Sequence, residues 1–121
     1  MSSLDSNSPG VIRIEVRGEV AHVTFSEPIL VDERLLMEFD HAATQLLNDH
    51  RKVLLDLRRV EMMGSTILGM IVSINRGLRQ RGGQLRLANV GPSVEDCFRV
   101  SRLDALLAIH PTEDEALQAF G

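Results

Sequence analysis

Val53-Leu54-Leu55-Asp56-Leu57, followed by Arg58-Arg59-Val60-Glu61-Met62-Met63-Gly64-Ser65-Thr66-Ile67-Leu68-Gly69-Met70-Ile71, reads as a buried strand, a short loop, then a hydroxyl pair at the mouth of an apolar helix. A helix mouth presents unpaired backbone N–H groups and the positive end of the dipole. A serine there can cap the helix, and a phosphate on it places charge where the backbone welcomes an anion. The stretch points to a switch more than to a catalytic pocket.

The rest of the chain arranges itself around this unit. Lys52 to Leu57 is apolar apart from its ends, as expected of a central strand covered on both faces. Thr66 to Arg81 carries Ile67, Leu68, Met70, Ile71, Ile74 and Leu78 in helical register, and Gly82-Gly83 stops it. Arg76, Arg79 and Arg81 near its end complement the dipole. Gln84 to Ala88 is a short alternating strand, Ser93 to Val100 a third helix, and Leu106 to Ile109 a fifth strand. Thr112 caps a last helix with an acidic first turn, docked through Ala116, Leu117 and Phe120.

Upstream, Ile12, Ile14 and Val16 alternate with Arg13, Glu15 and Arg17. Gly18-Glu19 turns this strand into a second one, Val20 to Phe25, giving a hairpin. Ser26 to Val31 is a connector broken by Pro28. Asp32 caps a helix whose apolar residues, Leu35, Leu36, Phe39, Ala42, Ala43, Leu46 and Leu47, follow 3,4 spacing, and Asn48-Asp49-His50 ends it. Residues 1–10 are polar and Ser-rich and read as a disordered leader, with residues 11–121 as one domain. The order β-β-α-β-α-β-α-β-α implies an α/β fold. Its mixed sheet has four to five strands, begins with the hairpin and is covered by about four helices.

Composition narrows the function. With 121 residues the chain can build a genuine core. Aromatics are 3%, with no Trp or Tyr, which argues against a stacking platform for single-stranded nucleic acid. A formal net charge of −4 disfavours binding to a phosphate backbone, so no nucleic acid partner is expected. Cys97 is the only cysteine and reads as a buried helix residue. Neither it nor the scattered His22, His41, His50 and His110 has metal-ligand spacing. Solvated or satisfied histidines are the default, and no metal or cofactor is assigned. No apolar run approaches the ~20 residues of a membrane helix, and the start lacks the regions of a signal peptide. The expectation is a cytoplasmic protein, monomeric or weakly dimeric, with no membrane partner.

The pattern resembles the STAS domain, in the branch of bacterial anti-sigma factor antagonists, from Val11 to Phe120. The most specific part is the unit usually written D-L-x-x-V-x-F-[ILM]-D-S-[ST]-G-L-G-x-L, which here runs from Asp56 to Ile71. Gly82-Gly83-Gln84-Leu85, Asn89-Val90-Gly91-Pro92-Ser93-Val94, Arg102-Leu103-Asp104-Ala105-Leu106-Leu107 and Thr112 to Leu117 match further in order and spacing. The resemblance implies a partner switch. The domain would bind an anti-sigma factor of the serine kinase type, and phosphorylation at the serine matching Ser65 would release it. A phosphatase would restore binding. Gly64 stands where the family carries Asp, and Ile67 where it carries Gly. The expected partner surface is Met62, Met63, Gly64, Ser65, Thr66 and Leu68.

Plainer readings stand beside these. Ser65 could serve only as a cap, and Thr66 reads as a first-turn residue rather than a second phosphosite. Met62 and Met63 point opposite ways if extended, leaving one of them exposed. The departures at Gly64 and Ile67 favour a rival, a STAS scaffold that binds a signalling partner without phosphorylation. A nucleotide-binding enzyme of flavodoxin type is disfavoured, because no Gly-rich strand-to-helix turn and no Ser-His-Asp spacing stands out. No catalytic residue is assigned.

Overall fold

Alternation builds the hairpin as the sequence implies. In the computed structural model, which describes residues 10–120, β1 (Ile12–Arg17) pairs antiparallel with β2 (Val20–Phe25). Gly18, at φ 63°, makes the reversal in a region that a side chain disfavours. The expected leader lies outside the described residues apart from Gly10. The chain continues through β3 (Ile29–Leu30), α1 (Glu33–Asp49), β4 (Lys52–Asp56), β5 (Met62–Met63) and α2 (Ser65–Gln80). It closes with β6 (Gln84–Ala88), α3 (Pro92–Val100), a 3₁₀ turn at Leu103–Ala105, β7 (Ala108–His110) and α4 (Glu113–Ala119).

The main sheet has the order β1-β2-β4-β6-β7, parallel except for the hairpin. Among the described residues this is a mixed five-stranded α/β sheet with four helices, where the sequence implies four to five strands and about four helices. Strand period sorts the residues into two unlike faces. Ala21, Val23, Val53, Leu55, Leu85 and Leu87 face a core built with α1, α2 and α3. The opposite face carries Val20, His22, Thr24, Leu54, Asp56, Arg86 and Ala88. Among the described residues α4 alone covers it, through Ala116 and Phe120 against Leu54 and Ala88. The Arg86 guanidinium lies 5.4 Å from the centre of the Phe120 ring, a cation–π contact closing that edge.

Side-chain caps fix the starts of α1 and α4. Asp32 accepts from the Arg34 N–H at 2.8 Å, and Thr112 Oγ1 from the Glu115 N–H at 3.2 Å, as the sequence suggests. Gly82, at φ 78°, ends α2, and the Gly83 N–H donates back to the Leu78 carbonyl.

Three expectations are corrected. The supposed connector at 26–31 and the loop at 58–64 contain β3 and β5, which pair in parallel as a separate ribbon, Ile29 with Met62 and Leu30 with Met63. The Pro28 carbonyl accepts from both the Glu61 and Met62 N–H, so the residue that breaks the chain in sequence anchors the pairing in space. The last strand starts two residues later than Leu106, because Arg102 at φ 61° and the 3₁₀ turn consume the preceding chain. Cys97 is half-buried rather than buried.

Candidate functional site

Leaving β4, the chain turns sharply at Asp56, whose Oδ1 accepts from the Arg58 N–H at 3.0 Å. It then pairs along β5 and enters α2 at Gly64. Gly64 is the N-cap, with extended backbone (φ −78°, ψ 166°) and no side chain to cap with. Ser65 is therefore not the cap that the sequence suggested. It is the first helical residue, exposed, and among the described residues its hydroxyl makes no capping hydrogen bond. The first helical bond runs from the Leu68 N–H to the Gly64 carbonyl. Among the described residues, the N–H groups of Ser65, Thr66 and Ile67 are left for solvent or an anion, at the positive end of the dipole.

The expected partner residues divide. Met62, Ser65 and Thr66 are exposed, while Gly64 and Leu68 are partly covered. Met63 packs into the core at 5% exposure and offers no surface. The adjacent methionines do point opposite ways, because they lie on a strand. The ribbon adds residues that sequence reasoning left in a connector. Ile29 at 50%, Val31 at 53% and Met62 at 55% exposure form an apolar ridge beside Ser65. One hydrogen bond and one strand pairing place this ridge. The Gly64 N–H donates to the Leu30 carbonyl at 3.0 Å, and Ile29 lies in register with Met62. The three apolar residues after Pro28, Ile29 to Val31, were the sequence signal for it.

A second cluster sits on the polar sheet face, at the start of the same loop. His22 is 3% exposed, and among the described residues neither ring nitrogen has a hydrogen-bond partner. The reading of His22 as solvated or satisfied is corrected on both counts, because α4 closes over the face that strand alternation marks as polar. Nε2 is 3.5 Å from Asp56 Oδ2, and Nδ1 is 3.7 Å from Glu113 Oε2. Asp56 Oδ1 is fixed by the Arg58 N–H and by Asn89 Nδ2 at 3.0 Å, which leaves Oδ2 directed at the ring. Exposed Arg17 reaches Glu113 Oε2 at 3.0 Å, and exposed Arg58 reaches Asp56 and Glu113 at 3.8 and 3.6 Å. Beside the cluster lies an open cleft of about 430 Å³, lined by Arg13, Thr24, Asp56, Arg58 and Arg59 among others.

Comparison with known proteins is consistent along the chain. The STAS domain family model matches residues 7–116. The anti-sigma F factor antagonist of Paenibacillus polymyxa is 27% identical over 108 residues, covering 89% of this chain and 85% of its own. An anti-sigma-factor antagonist (STAS) domain protein from Planctomyces limnophilus superposes with a TM-score of 0.80 at 23% identity, over 91% of this chain and 97% of that one. The Bacillus cell fate determinant SpoIIAA in its phosphorylated form superposes at 0.69 and 19% identity, over 89% and 97% of the two chains. The likeness to these two structures is one of fold. No helix among the described residues is long and apolar enough to cross a membrane.

Proposed function

This chain belongs to the STAS domain family, and from that premise we propose that it is an anti-sigma factor antagonist switched by phosphorylation of Ser65. In this reading the unmodified domain binds an anti-sigma factor of the serine kinase type in the cytoplasm, as a monomer or weak dimer, and so frees a sigma factor. The kinase modifies Ser65, the complex dissociates, and a phosphatase resets the domain. The chain is substrate and ligand, not catalyst.

The observation that carries the reading is Ser65 itself. It is exposed at the first position of α2, above three N–H groups without helical partners and beside the ridge of Ile29, Val31 and Met62. The ridge supplies apolar area to bury against a partner. A phosphate adds about −1.5 to −2 charges at its edge. The helix end tolerates that charge, whereas an interface that must desolvate it does not. Phosphorylation thus acts on the complex without unfolding the domain. The names of the matched relatives support an anti-sigma factor as the partner.

One observation favours a second reading, a scaffold that binds without phosphorylation. Gly64 stands at the N-cap, so the acidic residue that precedes the serine in the family pattern is missing. One experiment separates the two. The protein is incubated with its cognate anti-sigma factor and ATP, the phosphate is mapped by mass spectrometry, and binding is measured before and after. Phosphate on Ser65 with loss of binding is the expected result. Phosphate elsewhere, or none while binding persists, would transfer the assignment to the scaffold.

A further inference from the structure

We propose that His22, Asp56 and Glu113 form a binding site for a divalent transition-metal ion of the Zn²⁺ or Co²⁺ class. The first ground is the orphaned imidazole. Both ring nitrogens face carboxylate oxygens, which only accept. A neutral ring has one N–H and one bare nitrogen, so in either tautomer a lone pair is directed at a carboxylate. An exposure of 3% keeps bulk water from relieving the conflict. A cation on the bare nitrogen resolves it.

Distance decides which cation. A second proton would make both nitrogens donors, but 3.5 and 3.7 Å exceed the range of about 2.7–3.2 Å for N–H···O bonds. A metal between ligand atoms needs them further apart. With bonds of about 2.0–2.1 Å, the edge of a tetrahedral site is roughly 3.3–3.4 Å. The Nε2–Oδ2 separation is close to that edge. One ligand atom from each of the three residues can be chosen so that all lie within 4.8 Å of one another. Closing the set to that edge requires the Glu113 side chain, at the start of α4, to turn away from Arg17 and Arg58.

The surroundings are also those of a metal site. Asp56 is oriented by two hydrogen bonds to the oxygen that does not face His22, the arrangement by which outer residues aim a carboxylate ligand. Charge balances, since two carboxylates and a dication sum to zero. Without the ion, Arg17 and Arg58 supply the same two charges from side chains that are mostly solvent-exposed. Asp56 forms part of the wall of the open cleft, which gives an ion a path. Three protein ligands leave a fourth position for water. The ligands come from β2, β4 and α4, so no spacing in the sequence could signal them. This inference does not depend on the phosphorylation switch.

The test is titration of the full chain with Co²⁺, followed by visible absorption, and with Zn²⁺, followed by thermal melting and by the histidine ring resonances. One Co²⁺ per chain should bind with the intense bands of four-coordinate cobalt. Zn²⁺ should raise the melting temperature and shift the His22 resonances alone. H22Q and E113Q should each weaken binding at least about a hundredfold, more than the roughly 10–100-fold that outer-shell partners carry. E113Q keeps the test valid if H22Q does not fold. H110Q should bind as the parent does, and R58A should bind as well or more tightly, because a competing guanidinium is gone. Weak absorption without saturation, or unchanged affinity in E113Q, would overturn the proposal. So would a His22 ring that responds to pH but not to Zn²⁺.

Discussion

Replacing Gly64 by aspartate tests how α2 begins. The backbone there is extended at φ −78°, which any residue adopts without strain. A Cβ at this position would lie 3.4 Å from Val31 Cγ1 and 3.8 Å from the Leu30 carbonyl oxygen, ordinary van der Waals contact. Three gains follow. Aspartate is better than glycine at an N-cap by a few tenths of a kcal/mol. Its charge at the positive helix end adds about 0.3–1 kcal/mol. Loss of glycine's freedom in the unfolded chain adds about 0.4–1 kcal/mol. Exposed Asp32 and Glu33, close in sequence to Val31, oppose part of this through screened repulsion. The net expectation is about 1 kcal/mol, or roughly 4 °C in Tm for a domain of this size. Gly64→Ala gains the chain-entropy part but is a poorer cap, so it should sit near the parent. Thermal melts of the three proteins at low and high salt measure the difference. An aspartate variant no more stable than the alanine variant at low salt would refute the assignment of Gly64 as the cap.

Further expectations concern the core, the strand edge and the leader. Leu54→Asp places a charge without a partner among Leu54's neighbours Ala88, Ala116 and Phe120; it should cost at least about 5 kcal/mol, a large part of a domain's total stability, and a near-parental melt would disprove the packing. Glu38→Ala removes the acceptor for the Val11 and Ile12 N–H groups, at 3.1 and 2.8 Å; it should cost about 2 kcal/mol by chemical denaturation and speed amide exchange at those two residues. Ser65→Ala should change stability by less than about 0.5 kcal/mol, since the hydroxyl caps nothing. Deleting residues 2–9 should leave the melting temperature unchanged, and a fall of several degrees would show that this segment packs on the domain.

Much of this architecture was legible in local patterns. Period-two alternation marked β1 and β2, and 3,4 spacing marked α1 and α2. Asp32 and Thr112 announced two helix starts by residue type alone. The ribbon was not legible, because two-residue strands have no period and their partners lie across space. Ser65 was placed one position too early, because the choice between cap and first helical residue rests on backbone angles, not on residue preference. His22 escaped for a different reason. Alternation correctly assigns it to the face opposite the main core, but only the docking of α4 converts that face into an interior.

The β3–β5 ribbon ties two distant segments into one inherited unit. The space beside Gly64 is bounded by Val31, and the Gly64 N–H is held by Leu30. Any side chain gained at position 64 must share volume with position 31, so selection at the two sites is joined. In a library randomising both, larger residues at 64 should be recovered with smaller ones at 31. The residues leading into α1 would then record in their sequence how the loop before α2 has been allowed to change.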